Sequence, residues 1–197
     1  MSNKHRIILA SSSPRRRQLM AQIGIDCEII ASDADETADE PACIQVKELA
    51  LRKAHAVRDK VQGEATIIAA DTLVELDGKV LSKPTDGTDA FAMLSALQGQ
   101  RHTVYTGVAV IKTGTDGAIQ RTINFVEAAD VFFRPLTDDE INAYIDTGEP
   151  FDKAGAYGAQ ERGAALVARI EGDYFAVVGL PLARLVVALK EIHVNLQ

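Results

Sequence analysis

Tryptophan is missing from this chain, aromatic residues make up only 5% of it, and there are just two cysteines and six prolines. Cys27 and Cys43 stand alone, with no CxxC or metal-ligand spacing, which excludes a disulfide framework as the basis of the fold. No Pro/Gly-rich linker, low-complexity tract or internal repeat divides the chain, so one domain over residues 1–197 is expected. Long hydrophobic runs are also lacking. Asp, Glu, Lys or Arg interrupts every apolar stretch well before the roughly 18 residues of a membrane span. The leading Met-Ser-Asn-Lys-His-Arg opens into only four apolar residues, too few for a signal-peptide core. Positive charge is in deficit, with 21 Lys and Arg against 28 Asp and Glu and a net charge of −7. That balance, with no Trp, argues against a broad nucleic-acid surface. These absences predict a cytoplasmic protein with neither nucleic-acid nor membrane partners. Any polyanionic substrate must be small and gripped locally.

What the chain does have is an ordinary apolar content of 47% over 197 residues, enough for one substantial core. Strand-like runs are predicted at 6–10, 26–31, 66–70, 72–76, 79–82, 102–112, 119–133, 164–170 and 174–178. Helical patterns lie at 14–23, 45–61, 88–97, 137–146 and 181–192. The last places Leu182, Leu185, Val186, Leu189 and Ile192 at three- and four-residue spacing. Thr137-Asp-Asp-Glu140 forms a capping box at the start of its helix. Short turns at Asp77-Gly78, Thr115-Asp116-Gly117 and Glu171-Gly172-Asp173 join several strands. The result is an α/β fold with a mixed sheet and hairpins, not a purely parallel doubly wound sheet.

Positive charge is concentrated where it is most informative. Residues 7–17 read Ile-Ile-Leu-Ala-Ser-Ser-Ser-Pro-Arg-Arg-Arg, a strand running into a helix N-terminus. Ser13 suits the N-cap and Pro14 the first helical position. Free N–H groups and the positive helix pole favour an anion there. Arg15 and Arg16 add forked donors suited to phosphate oxygens. Successive helical residues rotate by about 100°, so at least one of Arg15, Arg16 and Arg17 must face solvent or a salt bridge.

A second cluster surrounds Asp71 and Lys83. A buried-strand run from Ile67 to Ala70 ends at Asp71, and Asp77-Gly78 is a strong two-residue hairpin signal. The implied register pairs 76 with 79, 75 with 80, 74 with 81, 73 with 82 and 72 with 83, bringing Asp71 and Lys83 to one end of the sheet. Two readings stand here. One is a plain edge hairpin with an incidental ion pair. The other is a phosphate site in which Lys83 neutralises oxygens while Asp71 holds a divalent cation or takes a proton from water. Between Thr147 and Gly163, four glycines and a proline shape a loop in which Asp152 can pair with Lys153. Tyr157 can stack on a base or plug the core there, and Gln160 suits a nucleobase edge. A plain connection accounts for the same loop. Lys53 lies on an amphipathic helix, where a lysine is normally solvated. The acidic stretch from Asp33 to Glu40 reads as a solvated loop, within which Asp35-Glu36 can supply an oxygen ligand for Mg²⁺ beside Asp71. His5, His55, His102 and His193 are scattered and take no metal spacing.

Together these stretches resemble the Maf family of nucleoside triphosphate pyrophosphatases, related in fold to the inosine triphosphate pyrophosphatases. The resemblance rests on Ala10-Ser11-Ser12-Ser13-Pro14-Arg15-Arg16, Asp35-Glu36, Lys53-Ala54, Ala70-Asp71-Thr72 and Leu81-Ser82-Lys83-Pro84. It continues through Gly148-Glu149-Pro150, Asp152-Lys153-Ala154-Gly155-Ala156-Tyr157-Gly158 and Val178-Gly179-Leu180-Pro181. It implies a mixed twisted sheet flanked by helices, with two lobes around a cleft. It also implies cleavage of a nucleoside triphosphate between the α and β phosphates, a divalent cation (Mg²⁺ or Mn²⁺) and a homodimer. Asp71 matches the family's catalytic base, and Glu36 a residue near the metal and the catalytic water. Asp71 and Glu36 are thus the implied metal-site carboxylates. Ser11, Arg15, Lys53 and Lys83 match triphosphate-handling positions, and Arg16, Thr72 and Gln160 match positions tied to substrate choice. The Asp-Lys-Ala-Gly-Ala-Tyr-Gly wording resembles the branch acting on dTTP and UTP. The alternatives are the 7-methyl-GTP branch, or a nucleotide-binding regulator of cell division that does not hydrolyse.

Overall fold

The apolar runs at 66–76, 101–113 and 119–133 become three long neighbouring strands that carry the architecture of the computed structural model, which describes residues 5–35 and 40–194. In chain order the strands are β1 (Ile7–Leu9), β2 (Glu28–Ile29), β3 (Thr66–Leu76), β4 (Lys79–Leu81), β5 (Arg101–Thr113), β6 (Ile119–Phe133) and β7 (Val167–Gly172). The helices are α1 (Pro14–Gln22), α2 (Ala42–Arg58), α3 (Gly87–Leu97), α4 (Asp138–Ile145), α5 (Tyr174–Val178) and α6 (Leu182–Glu191). The sheet runs β2-β1-β3-β5-β6-β7, with β4 also on β3. The β2-β1-β3 pairings are parallel and the others antiparallel, so the sheet is mixed as the sequence implies.

The period of two along β3 sorts its side chains between two cores. Ile67 and Ala69 meet Ala50, Ala54 and Val57 of α2 on one face. Ile68 and Ala70 meet Leu19 and Met20 of α1 and Leu185 and Leu189 of α6 on the other. Farther along, Val74, Val104 and Val131 join Leu94, Leu97 and Ile141 beneath α3 and α4. These clusters form two lobes threaded by the same long strands.

Between the lobes one edge of β3 is open. Its other edge pairs with β5 from Thr66 to Glu75. On the open side β1 covers only residues 66–68 and β4 only residues 74–76. β1 is parallel to β3 and β4 antiparallel, so both run toward the gap and end at it. Their continuations, Ala10–Pro14 and Ser82–Pro84, therefore approach each other from opposite sides of residues 69–73.

Several elements differ from expectation. The runs 66–70 and 72–76 are one strand, because β5 holds both in register. The hairpin forms 76·79, 75·80 and 74·81, but the expected 73·82 and 72·83 pairs do not form. The Ser82 carbonyl instead accepts from the Gly155 N–H at 3.0 Å, and Pro84 cannot donate to a ladder. Residues 164–166 close a 3-10 turn (Glu161–Leu166) before β7 begins. The segment 174–178, expected as a strand, is helix α5. Asp173 caps the Phe175 N–H at 2.8 Å, Gly179 ends the helix at φ 117°, and tertiary packing overrides the β-prone composition. Tyr157 plugs the second lobe. Its hydroxyl is 2.7 Å from Nε2 of buried His102, and both rings pack edge-on against Phe133.

Gly107 sits opposite Asp71 in the β3–β5 register. A Cβ there would lie 2.1 Å from the Val46 carbonyl oxygen of α2, a collision with backbone. Gly107→Ala must push α2 off the sheet. We expect a loss of about 3 kcal/mol, the upper end for overpacking, read as a lower urea midpoint. Burial holds the His102 imidazole down to about 4, against the ordinary 6.5. Between those values the unfolded chain binds a proton that the folded chain does not, so stability falls as pH drops through that window, by up to about 3 kcal/mol. In His102→Phe the slope of urea midpoint against pH should flatten over the same range.

Candidate active site

Asp71 follows Ile67 and Ala69 on the α2 face of β3, and Thr72 follows Ile68 and Ala70 on the other. The open edge thus presents a carboxylate toward one side and a hydroxyl toward the other. On the α2 side Lys53 falls three residues after Ala50 and four before Val57, within the apolar stripe. Its Nζ reaches Asp71 Oδ1 at 2.6 Å, and the two side chains are only 11% and 10% exposed. The low exposure follows from the close approach that Gly107 permits.

On the opposite side Ser13 caps α1 by accepting from the Arg16 N–H, and Pro14 takes the first helical position as expected. Ser11 Oγ accepts from the Ser13 N–H at 3.2 Å and from Arg16 Nη1 at 3.3 Å. Arg16 also donates through Nε to the Gly179 carbonyl at 2.8 Å and through Nη2 to Thr72 Oγ1 at 3.1 Å. The Thr106 hydroxyl donates to the Ala176 carbonyl at 2.7 Å and lies 2.9 Å from Thr72 Oγ1. A hydroxyl has one proton. Thr72 must therefore donate to Thr106, which leaves its lone pairs for Arg16 and for any donor in the cleft. Arg17, by contrast, is exposed, as helical rotation requires of at least one of the three arginines.

Arg15 leans across the opening to Asp152, with Nη1 3.1 Å from Oδ2, and so ties α1 to the loop after α4. Lys153 is buried. Its Nζ donates to Asp152 Oδ1 at 2.7 Å and to the Glu149 carbonyl at 2.6 Å. Burial works to raise the Asp152 carboxyl, but the bond to Lys153 and the charges of Arg15 and Lys153 outweigh it and hold it below its ordinary value. Lys83 is exposed at the rim, where the β4 continuation leaves it.

These groups enclose a cleft of about 490 Å³, a volume ordinary for a small-molecule site. Ser11, Arg15, Arg16, Lys53, Asp71, Thr72, Lys83 and Gln160 all line it. Glu36 lies outside the described residues, and neighbouring Asp35 is exposed. The sequence undervalued Lys53, although its place in the apolar stripe of α2 was the available signal. Sequence alone does not single out Tyr144, and Glu149 enters only as part of Gly148-Glu149-Pro150, with no role, because their part depends on contacts made within the folded loop.

The sequence matches the model of the family described as Maf-like protein over residues 6–192. The chain belongs to that family. Maf-like relatives named dTTP/UTP pyrophosphatase are similar to it over nearly their whole length. One from Thermoanaerobacter sp. is 46% identical, covering 94% of this chain and 95% of its own. One from Carboxydothermus hydrogenoformans is 50% identical, covering 94% and 98%. A third, from Bacillus cereus, is 43% identical over 98% and 93%. A solved structure, that of the Staphylococcus aureus Ham1 protein, is 19% identical with a TM-score of 0.47, over 65% of this chain and 71% of that one, and adds nothing to the assignment. No helix among the described residues of this Maf-like chain is long and apolar enough to cross a membrane.

Removing Lys53 strips Asp71 of its cation in a site only partly open to water. We expect Lys53→Met to cost about 1–3 kcal/mol, below the range for sealed pairs because the cleft screens the charge. Adding Asp71→Asn to Lys53→Met should restore part of that loss, read as a double-mutant cycle of urea midpoints.

Proposed function

We propose that this chain hydrolyses dTTP and UTP between the α and β phosphates, giving the nucleoside monophosphate and pyrophosphate. The observation that carries the reading is the Lys53–Asp71 pair at the gap of β3, lining the same cleft as the capped N-terminus of α1. An anion-suited helix end and an activating carboxylate then face one substrate. The pyrimidine choice is supported by the relatives named dTTP/UTP pyrophosphatase at 43–50% identity.

In this reading the triphosphate lies along the gap. The turn at Ser11–Ser12 and the Arg15 N–H at the start of α1 take phosphate oxygens, with the Arg15 and Lys83 side chains compensating charge. Arg15 exchanges its bond to Asp152 for one to phosphate. Lys53, 2.6 Å from Oδ1, fixes the orientation of the Asp71 carboxylate. Asp71 orients the attacking water and receives its proton as the new O–P bond forms at the α phosphorus. The bond to the bridging oxygen breaks, and pyrophosphate departs with that electron pair. Thr72, an acceptor toward the cleft, and Gln160, both donor and acceptor, meet the pyrimidine edge. Arg16, bonded to Ser11, Thr72 and Gly179, holds the phosphate turn and the base-reading hydroxyl in one frame.

We also propose a divalent cation at Asp71. Among the described residues no group of three or more His, Cys, Asp or Glu side chains is poised to hold a metal. Asp71 offers one carboxylate in the cleft, and Mg²⁺ or Mn²⁺ binds through one or two carboxylates together with substrate phosphates and water. Glu36 is the candidate second carboxylate. When bound, the cation would stabilise the charge that builds on the departing pyrophosphate.

Pyrophosphate release from dTTP, UTP, CTP, GTP and 7-methyl-GTP tests the reading. We expect preference for dTTP and UTP, and a fall of at least about a hundredfold in Asp71→Asn, the scale of general-base loss. Release from 7-methyl-GTP alone would move the chain to the other branch. Tight nucleotide binding without release would leave the non-hydrolysing regulator. Chelation by EDTA should abolish release, and added Mg²⁺ or Mn²⁺ should restore it.

A further inference from the structure

Gln160 stands in a stretch that no strand or α-helix holds, between the turn at Ala154–Ala156 and the 3-10 turn at Glu161–Leu166. Such a stretch keeps its shape through tertiary bonds: the Tyr174 hydroxyl donates to the Ala159 carbonyl at 3.4 Å, and two further side chains hold it on either side of Gln160. The Tyr144 hydroxyl, at the inner face of α4, accepts from the Gly158 N–H at 3.2 Å. Its single proton is then free for Glu149 Oε1, 3.0 Å away. Glu149 Oε1 also accepts from the Gly163 N–H at 3.1 Å, and Oε2 accepts from the Arg162 N–H at 3.2 Å. One hydroxyl and one carboxylate thus clamp the chain at Gly158 and again at Arg162–Gly163 in the following 3-10 turn, with Gln160 between. The clamp is itself anchored. The Glu149 N–H donates to Thr147 Oγ1, whose hydroxyl donates to the Tyr144 carbonyl. Gly163 completes the closure, since a Cβ there would fall 2.1 Å from the Gly158 carbonyl oxygen. Burial pushes the Tyr144 phenol well above its ordinary value, so it remains a donor across the working range.

We propose that Tyr144 and Glu149 are positioning residues for base discrimination: by pinning residues 158 and 162–163 they fix Gln160 at the cleft wall. This rests on the pyrimidine pyrophosphatase reading and names the scaffold of its base-reading wall. Tyr144 does not line the cleft, whereas Glu149 does, and the Glu149 carbonyl accepts from Lys153 beside the Asp152 that Arg15 meets, which makes Tyr144 the cleaner probe of positioning. Loosening the clamp should therefore be felt in KM and in choice of base more than in kcat. A residue that served stability alone would lower the melting temperature and leave the choice of base untouched.

The test measures kcat and KM for dTTP and CTP in wild type, Tyr144→Phe, Gln160→Ala and the Tyr144→Phe/Gln160→Ala double variant, with melting temperatures alongside. Tyr144→Phe keeps the buried ring and removes one hydroxyl. Glu149→Gln, which keeps the volume and removes the charge, serves where Tyr144→Phe does not fold. The expected result is a fall of about tenfold in the dTTP-to-CTP ratio of kcat/KM, carried mainly by KM for dTTP. In the Gln160→Ala background the same substitution should change the ratio no further, because coupled positions are non-additive. An unchanged ratio with a lower melting temperature would overturn the inference and leave the pyrophosphatase reading intact. So would a further fall in the Gln160→Ala background, since the clamp would then act through another group. A wild-type protein that releases no pyrophosphate, or treats dTTP and CTP alike, would overturn the underlying reading and this inference with it.

Discussion

A β-strand can hydrogen-bond along both edges, and β3 leaves residues 69–73 of one edge without a neighbouring strand. That interruption is the constraint on which the rest depends. β1 and β4 approach it from opposite directions, and the chain leaving each strand becomes a wall of the cleft. Because side chains alternate along β3, the same interruption sends Asp71 toward α2 and Thr72 toward α1 and α5. One departure from regular pairing thus divides the site into an acid–base side and a recognition side.

The acid–base side depends on how closely α2 lies on the sheet. Gly107 provides the space, and it sits directly across from Asp71 in the register. The hydrophobic contacts of Ala50, Ala54 and Val57 hold the helix down. The position that brings Lys53 within 2.6 Å of Asp71 is set by apolar packing, and the ion pair occupies a place already made for it. On the recognition side the order is reversed. Polar bonds from Arg16 and Thr106 fix a hydroxyl, and the apolar core formed by α1 and α6 lies beneath them.

Much of this was legible in the sequence because local rules and the fold agree. Ser13-Pro14 starts α1, Thr137 with Glu140 starts α4, and Asp77-Gly78 sets the register of the β3–β4 hairpin. Ser11, Arg15, Arg16, Lys53, Asp71, Thr72, Lys83 and Gln160, drawn from stretches far apart in sequence, line one cleft. What sequence alone did not reveal is decided by partners distant along the chain. Helix α5 looked like a strand because Tyr-Phe-Ala-Val-Val favours one, and only capping by Asp173 and packing on the sheet reverse that preference. Lys83 was expected to extend the hairpin, but Gly155, more than seventy residues away, takes the hydrogen bond of Ser82. Glu149 and Tyr144 sit close together in sequence, yet their bonds to Gly158, Arg162 and Gly163 exist only once the loop has closed.

The strands that pass beneath the cleft run unbroken from one lobe into the other. β5 pairs with β3 over ten consecutive positions and with β6 along nearly its full length. A hinge at the cleft would have to bend three bonded strands at once, so the lobes behave as the two arms of one stiff beam and not as jaws. Adaptation to a guest must come from what is mounted on the beam: the turn after β1, the rim around Lys83 and the loop that carries Gln160. For ligand design this makes the floor of the cleft a fixed template, while its rim is the compliant part.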